Sequence, residues 1–252
     1  MAIDTVFLDA GGVLVFPNWH RVAAALARHG LTTTAEALAA VEWRAKHEVD
    51  TGAAGQSDLV RGWLVFGRVF ARAGVTGSDA AGRPPTRRAA ARHPDDSATA
   101  DAVDRAIGDL QRYHADHNLW ERVPPDVIPA LRRLRGAGRK LVVVSNANGR
   151  MRAALDRVGL GPHIDLVVDS FEEGVEKPNP QIFARALERI GARPTTTLHV
   201  GDLFHTDVVG ARAAGLRAVL LDMADLYGGF ECERVRSLAE LADRLDGVSG
   251  DS

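Results

Sequence analysis

The chain has 252 residues, of which 46% are apolar and 25% charged, a composition typical of a globular protein with a sizeable core. Its net charge of −2 gives no overall field for nucleic acid or an anionic membrane, and no apolar run reaches the ~18 residues that a membrane span requires. The single cysteine, Cys232, excludes an internal disulfide and fits a reducing compartment, so we expect a cytoplasmic protein.

The first predicted element is a buried strand, Thr5–Asp9, in which an apolar run ends at an aspartate and two glycines follow. A long stretch with helical patterns comes next. Capping residues and apolar spacing predict helices over residues 18–28, 33–49, 57–74 and 99–117. Between the last two helices, residues 75–98 are rich in Gly, Pro, Arg and small residues, which predicts a mobile loop.

From residue 126 onward, predicted helices and strands alternate. The strands are Lys140–Val144, Asp165–Asp169, Thr197–Val200 and Arg217–Leu221. The helices cover residues 126–136, 148–158, 180–190, 207–214 and 238–245. This alternation predicts a parallel sheet with helices on both faces and right-handed crossovers. We therefore expect an α/β fold, a Rossmann-like doubly wound parallel sheet formed by residues 1–15 and 121–252, interrupted by an all-helical insert at residues 16–120.

Polar residues stand at the carboxyl ends of four predicted strands, where open α/β sheets place their ligand sites. They are Asp9 with Gly11 and Gly12 after the first strand, Ser145 and Asn146 after the second, Lys177 after the third, and Asp202 with Asp207 after the fourth. Each residue alone has an ordinary explanation as a turn, N-cap or solvated residue. Their joint occurrence at successive strand ends favours a functional site.

Two kinds of chemistry follow from these residue types. A hydroxyl such as that of Ser145 beside the free N–H groups of a helix start binds phosphate oxygens well. The carboxylates of Asp9, Asp202 and Asp207 would repel one another at one sheet edge unless a cation were present, and a set of oxygen ligands suits a hard ion such as Mg²⁺. The pattern therefore indicates a phosphate and Mg²⁺ site.

Taken in order, these segments resemble the four motifs of the haloacid dehalogenase (HAD) superfamily of phosphohydrolases. The four matches are Asp9-Ala10-Gly11-Gly12-Val13-Leu14, where the family usually has D-x-D-G-[TV]-L, then Ser145, then Lys177, and last the acidic segment Gly201–Asp207. The resemblance covers residues 3–15 and 121–225. The insert at residues 16–120 lies where the family's C1-type helical cap lies.

The resemblance implies that Asp9 attacks a phosphoryl group and forms an aspartyl-phosphate. It also implies that the Asp9 carboxylate, the backbone carbonyl of Gly11 and the carboxylate of Asp202 hold Mg²⁺. Asp207 would be a further metal ligand or a supporting residue. The implied substrate is a small phosphorylated metabolite.

The resemblance further implies that Lys177 offsets the negative charge shared by Asp9 and the phosphate. Ser145, the N–H of Asn146 and the loop at Gly11 would bind the phosphate oxygens. The cap would close over the site, exclude water and select the leaving group.

The sequence departs from the family at Gly11, where most of its phosphatases carry a second Asp that acts as general acid and then as general base. Without that proton transfer, turnover would fall by roughly 10²–10⁴. We therefore expect slow Mg²⁺-dependent hydrolysis that favours good leaving groups such as acyl or aryl phosphates. His20 is one candidate for the missing acid, although a plain helix-surface histidine is the ordinary interpretation.

Two other interpretations remain open. Dehalogenases and phosphonatases of the family also lack the second Asp, but dehalogenases need no metal, and phosphonatases need a cap lysine for a Schiff base, for which the insert offers Lys46 alone. A non-catalytic binding module with the HAD fold is favoured by Gly11 and disfavoured by the other retained motif residues. The sequence leaves open whether the protein is a monomer or a homodimer.

Overall fold

The computed structural model of the protein describes residues 2–52, 58–77 and 94–247. Its strands are β1 (Thr5–Leu8), β2 (Phe16–Pro17), β3 (Leu31–Thr32), β4 (Thr76–Gly77), β5 (Trp120–Arg122), β6 (Lys140–Ser145), β7 (Leu166–Asp169), β8 (Thr197–Gly201), β9 (Arg217–Leu221) and β10 (Glu233–Val235). Its helices are α1 (Trp19–Arg28), α2 (Ala35–Gly52), α3 (Asp58–Arg72), α4 (Pro94–His117), α5 (Val127–Gly136), α6 (Met151–Arg157), α7 (Ser170–Glu173), α8 (Pro180–Ile190), α9 (Val209–Ala213) and α10 (Leu238–Leu245). A π-helical turn, Phe204–Val208, precedes α9 and replaces the start of the helix predicted from residue 207.

Six strands form one parallel sheet in the order β10-β9-β8-β1-β6-β7. β1 lies inside this sheet, where Leu8 is level with Val143 of β6 and with Val200 of β8. The central strands are buried along almost their whole length, as expected for a parallel sheet that is covered on both faces. The structure therefore confirms the predicted doubly wound α/β fold.

Successive side chains of β1 point to opposite faces of the sheet and pack against different helices. On one face, Val6 and Leu8 pack in a cluster with residues of α5, α6 and α10, and on the other face Phe7 packs with residues of α8 and α9. Fully burying a side chain of this size contributes about 1.5–3 kcal/mol. These two layers fix the position of β1 and of the residue that follows it, Asp9.

The residues between β2 and β5 form a separate hydrophobic cluster, to which α1, α2, α3 and α4 contribute. This insert is helical as predicted, and it also contains two antiparallel strand pairs, β3 with β4 and β2 with β5. The strands of these pairs are 2 or 3 residues long, which is too short for an alternating pattern to be recognised in the sequence. Among the described helices, none combines the length and the apolar character that crossing a membrane requires.

We propose that residues 16–120 form an insert domain and that residues 1–15 and 121–252 form the core, and the separate buried clusters support this division. The predicted loop over residues 75–98 differs from the structure at both ends, because β4 pairs with β3 and α4 already begins at Pro94. Residues 78–93 of that loop and the predicted helix start at Ser57 lie outside the described residues.

Candidate active site

The predicted site residues meet at one edge of the sheet. Asp9 follows β1, Ser145 ends β6, and Asp202 follows β8. Together with Lys177 and side chains of the insert, they line a cavity of about 440 Å³. The structure thus brings together residues from all four predicted strand ends.

Lys177 links Asp9 to the acidic end of β8. Its ammonium lies 3.0 Å from Asp9 Oδ1 and donates a hydrogen bond of 2.7 Å to Asp207 Oδ1. Burial alone would lower the pKa of Lys177, but the two carboxylates raise it, so the side chain stays charged. Burial raises the pKa of Asp9, the Asp207 charge adds to the rise, and Lys177 opposes it. The lysine is therefore the counter-charge of both acids.

Asn146 fixes the backbone at Lys177. Its Oδ1 accepts a hydrogen bond of 2.7 Å from the Lys177 N–H, and its Nδ2 donates one of 2.9 Å to the Lys177 carbonyl. This pair of contacts was not predicted from the sequence. The predicted phosphate contact through the Asn146 backbone N–H stays a prediction.

Ser145 is nearly buried at the end of β6 and lines the cavity. The next helix was predicted to begin at Asn148, but α6 begins at Met151. The intervening segment is not helical, since Gly149 has φ of 82° and Asp169, at the end of β7, accepts hydrogen bonds of 2.9 Å from the Gly149 N–H and 3.2 Å from the Met151 N–H. Ser145 is therefore not a helix N-cap, which removes the ordinary explanation for this residue.

Asp207 is fully buried, and both of its oxygens are paired within the protein. Oδ1 accepts from Lys177 and lies 3.0 Å from His199 Nε2, and Oδ2 accepts a hydrogen bond of 3.1 Å from the Leu203 N–H. Burial alone would raise the pKa of Asp207, but Lys177 and His199 lower it, so the carboxylate is ionised. A Cβ at Gly201 would collide with Asp207, so glycine makes room for this arrangement. The pairing favours a supporting role for Asp207 over direct metal binding.

A lysine of the insert reaches Asp202. The ammonium of Lys46, on α2, donates a hydrogen bond of 2.9 Å to Asp202 Oδ2 and lies 3.4 Å from Glu42 Oε1. Burial alone would lower the pKa of Lys46, but Asp202 and Glu42 raise it, so the amine stays protonated. Burial raises the pKa of Asp202 to about 7, against the opposing charge of Lys46. A Schiff base requires a neutral amine, so this pairing argues against the phosphonatase interpretation of Lys46.

Lys46 belongs to a row of buried charged residues on α2 that was not predicted. The row consists of Glu42, Lys46 and Asp50. Asp50 accepts hydrogen bonds of 2.9 Å from the Phe204 N–H, 3.2 Å from the His205 N–H and 3.0 Å from the Tyr227 hydroxyl. Burial raises the pKa of Asp50, and these donors oppose the rise. The spacing of four residues places these charged residues on one face of the helix, and this pattern could have indicated contacts with the core, since buried charged residues require partners.

The residues of the site fit a divalent cation. Asp9, Asp202 and Asp207 each offer a carboxylate oxygen, and these oxygens lie within 4.8 Å of one another. The ammonium groups of Lys46 and Lys177 do not neutralise all three carboxylates. Oxygen ligands with residual negative charge suit Mg²⁺ better than a softer metal.

The two glycines after Asp9 have different structural roles. Gly12 has φ of 83°, and a Cβ there would lie 2.5 Å from Lys46 Nζ and would collide with the Asp202 carboxylate, so glycine is required. A Cβ at Gly11 would lie 3.4 Å from Trp120 Nε1, which is an ordinary contact. The missing carboxylate at position 11 is therefore a chemical difference that the backbone does not impose.

The histidines at positions 20, 199 and 205 do not supply a replacement for that carboxylate. His20 is exposed on α1 and is not among the described residues that line the cavity. His199 is fully buried, with its ring centroid 4.9 Å from that of Phe183. His205 is partly exposed and packs beside Phe204, so neither ring is placed to act on a substrate in the cavity.

The chain belongs to the haloacid dehalogenase-like hydrolase family, whose model matches residues 3–215. The glyceraldehyde 3-phosphate phosphatase of Methanopyrus kandleri is 37% identical over 144 residues, which are 53% of this chain and 62% of the relative. The haloacid dehalogenase-like hydrolase domain-containing protein 3 of Bos taurus is 38% identical over 159 residues, 61% of this chain and 63% of the relative. The chain thus spans less than two thirds of the length of either curated relative.

The solved structures show the same fold. A magnesium-bound HAD hydrolase from Bacillus subtilis aligns with a TM-score of 0.63 at 16% identity, covering 98% of this chain and 100% of that one. An identity this low supports a shared architecture and does not carry over a substrate.

Proposed function

We propose that the protein is a Mg²⁺-dependent phosphatase that acts on a small phosphorylated metabolite through an aspartyl-phosphate at Asp9. The observation that carries this proposal is the buried ammonium of Lys177, which contacts Asp9 and Asp207 at the sheet edge that also presents Ser145 and Asp202. Membership of the hydrolase family and the phosphatase name of the Methanopyrus relative support it.

In the proposed reaction, an oxygen of Asp9 forms a bond to phosphorus while the bond to the leaving-group oxygen breaks, and the electron pair stays on that oxygen. Lys177 stabilises the charge on Asp9 and on the phosphate, while Ser145 and the N–H of Asn146 donate to phosphate oxygens. Water then attacks the aspartyl-phosphate, which releases phosphate and restores the Asp9 carboxylate. Asp207 takes no part in bond making and holds Lys177 in position.

The groups that would hold the metal are the Asp9 carboxylate, the backbone carbonyl of Gly11 and the Asp202 carboxylate. When bound, Mg²⁺ supplies positive charge that offsets the charge of the phosphoryl group. The cluster of carboxylate oxygens within 4.8 Å supports this assignment. Asp207 accepts hydrogen bonds from the Lys177 ammonium and the Leu203 N–H, so its role in this proposal is to hold Lys177 in position.

Gly11 makes the proposed enzyme slow, because no side chain at that position protonates the leaving group or activates water. The expected deficit is roughly 10²–10⁴ in rate. The missing general acid slows hydrolysis least for substrates whose leaving groups depart as stable anions. The insert acts in this proposal as a cap that excludes water from the cavity, since Lys46 and Asp50 attach it to the core.

The other interpretations are less well supported. A phosphonatase would need Lys46 as a neutral amine, and its carboxylate partners keep it protonated. A carbon–halogen hydrolase would have no use for the cluster of three carboxylates. A non-catalytic binding module is consistent with Gly11, and the next experiment separates it from a phosphatase.

The test measures hydrolysis of p-nitrophenyl phosphate and acetyl phosphate, with and without Mg²⁺, for the wild type and for Asp9→Asn. Asp126→Asn, at an exposed position away from the cavity, is the matched control. We expect Mg²⁺-dependent turnover that is lost in Asp9→Asn and retained in Asp126→Asn. Equal rates in all three proteins would contradict the phosphatase proposal and favour the non-catalytic module.

The single cysteine supports a cytoplasmic location for this enzyme.

We propose a monomer or a homodimer, and light scattering of the purified protein decides between the two.

A further inference from the structure

The wall of the cavity that the insert provides is aromatic. Trp19, Trp63, Phe66 and Trp120 all line it. Phe66 contacts each of the other three rings, with its centroid 5.4 Å from that of Trp19, 5.2 Å from that of Trp63 and 5.7 Å from that of Trp120. A flat apolar group bound in the cavity would therefore meet ring faces and edges from more than one of these residues.

The charged side chains in this wall are paired within the protein. Glu42 accepts a hydrogen bond of 2.8 Å from Trp19 Nε1 and lies beside Lys46, while Asp50 accepts from core donors. His114 accepts a hydrogen bond from the Leu119 N–H, and burial lowers the pKa of its ring, which is therefore neutral. Polar side chains such as Asn118, Asn148 and Thr206 also line the cavity, but its lining is predominantly apolar, so an aromatic leaving group would bury more apolar surface here than one rich in hydroxyls.

The aromatic wall begins beside the nucleophile. Trp120 Nε1 lies 3.4 Å from the position that a Cβ on Gly11 would take, and Gly11 is two residues from Asp9. A phosphate at Asp9 would thus place the group bonded to its ester oxygen against Trp120 and the neighbouring rings. The cavity of about 440 Å³ lies within the range of ligand sites, roughly 300–1,000 Å³.

The chemistry at position 11 gives an independent reason for the same kind of substrate. A site without a general acid releases an anion, and the stability of that anion decides the rate. A phenol has a pKa of about 10, whereas the pKa of an alcohol is close to that of water, about 15.7. A phenolate therefore departs unaided far more easily than an alkoxide.

We propose that the substrate is an aryl phosphate, with the ester oxygen bonded directly to an aromatic ring, and that Trp63, Phe66 and Trp120 determine this specificity. The inference rests on the proposed phosphatase function. Asp9 forms a bond to phosphorus as the aryl–oxygen to phosphorus bond breaks, and the phenolate leaves and takes a proton from water. Hydrolysis of the aspartyl-phosphate then gives inorganic phosphate and regenerates Asp9.

The test compares kcat/KM for 1-naphthyl phosphate, glycerol 3-phosphate and acetyl phosphate. We expect 1-naphthyl phosphate to exceed glycerol 3-phosphate by at least roughly tenfold. Trp63→Leu should lower the ratio of 1-naphthyl phosphate to acetyl phosphate by a similar factor, mainly through KM. Leu64→Ala is the matched control, because Leu64 neighbours Trp63 on α3 but is 40% exposed and lies outside the cavity; its ratio should equal that of the wild type.

Calorimetric titration of the Asp9→Asn variant with each phosphate ester measures binding without turnover. We expect 1-naphthyl phosphate to bind more tightly than glycerol 3-phosphate. The aryl inference is overturned if glycerol 3-phosphate is bound or hydrolysed as well as 1-naphthyl phosphate, or if Trp63→Leu leaves the ratio unchanged. A different result would contradict the phosphatase proposal itself: acetyl phosphate hydrolysis that is as fast in Asp9→Asn as in the wild type.

Discussion

The Lys46 ammonium lies 2.9 Å from Asp202 Oδ2, so a helix of the insert places a positive charge on a carboxylate of the core. The same carboxylate is one of the proposed ligands of Mg²⁺. Lys46 would therefore repel a divalent cation at Asp202, and its hydrogen bond also ties the insert to the proposed metal site.

Replacing Lys46 with Gln should tighten Mg²⁺ binding. The Gln amide can still donate a hydrogen bond to Asp202, but the positive charge is removed, and a relief of about 1.4 kcal/mol in repulsion corresponds to a tenfold change in affinity. Calorimetric titration with Mg²⁺ alone measures the effect. Lys140→Gln, at an exposed position on β6, is the control and should bind as the wild type does. Weaker binding in Lys46→Gln would show that the ammonium organises the site instead of competing with the metal.

Asp50→Ala should destabilise the protein by about 3 kcal/mol, because it leaves the buried Tyr227 hydroxyl and two partly buried backbone N–H groups without an acceptor. Tyr227→Phe removes one of these hydrogen bonds and should cost about 1 kcal/mol. Urea unfolding measures both free energies. Hydrogen exchange at the amides of Phe204 and His205 should accelerate in Asp50→Ala more than in Tyr227→Phe. Equal losses in the two variants would mean that the carboxylate contributes nothing beyond its contact with the tyrosine.

Gly11→Asp should raise the hydrolysis of alkyl phosphates by roughly 10²–10⁴ and that of aryl phosphates by less. A Cβ at this position makes an ordinary contact of 3.4 Å with Trp120 Nε1, and the new carboxyl group supplies the proton that an alkoxide needs. Gly11→Asn has the same shape without the acid and serves as the control. Similar gains for both variants, or for both substrate classes, would contradict proton transfer as the missing step.

The unfolding free energy should fall as the pH is lowered, in part through His114. Burial lowers the pKa of His114 from its ordinary value of 6.5, so between 6.5 and the lower folded value the unfolded chain binds more protons. The stability from this residue is therefore complete above pH 6.5 and is lost as the pH falls through the folded pKa. His114→Asn keeps an acceptor for the Leu119 N–H and should make urea unfolding less dependent on pH between about pH 7 and pH 5. An unchanged pH dependence would show that His114 titrates alike in both states.

Local sequence was sufficient to place three residues of the candidate site at strand ends, because Asp9, Ser145 and Asp202 stand at the ends of recognisable apolar runs that form β1, β6 and β8. Parallel strands present their carboxyl ends at one edge of the sheet, and this rule predicts that the three residues are neighbours in space. The edge strand β10 escaped prediction, since its Glu233 and Arg234 do not resemble a buried strand.

The contacts of Lys46 and Asp50 could not be predicted in the same way. They depend on how α2 packs against core residues that lie more than 150 positions away in the sequence. No local sequence rule predicts such a contact. The helical spacing of Trp63, Phe66 and Phe70 on α3 is typical of core packing, and Phe66 is indeed buried, yet Trp63 and Phe66 also line the cavity. A residue at a cavity wall has the same helical spacing as one in a core, so periodicity does not distinguish the two roles.

Both chain crossings between the core and the insert run through one short ribbon, in which Phe16 is opposite Arg122 and Pro17 is opposite Trp120. Because entry and exit lie side by side, a different insert can replace this one at two splice points without shifting the register of the six-stranded sheet. Such an exchange would leave Asp9, Ser145 and Lys177 in place, although it would remove the contacts of Lys46 and Asp50 with the core. Under the proposed function, the phosphate chemistry would therefore belong to the core and the choice of leaving group to the insert, and a chimera made at this ribbon should change the second while keeping the first.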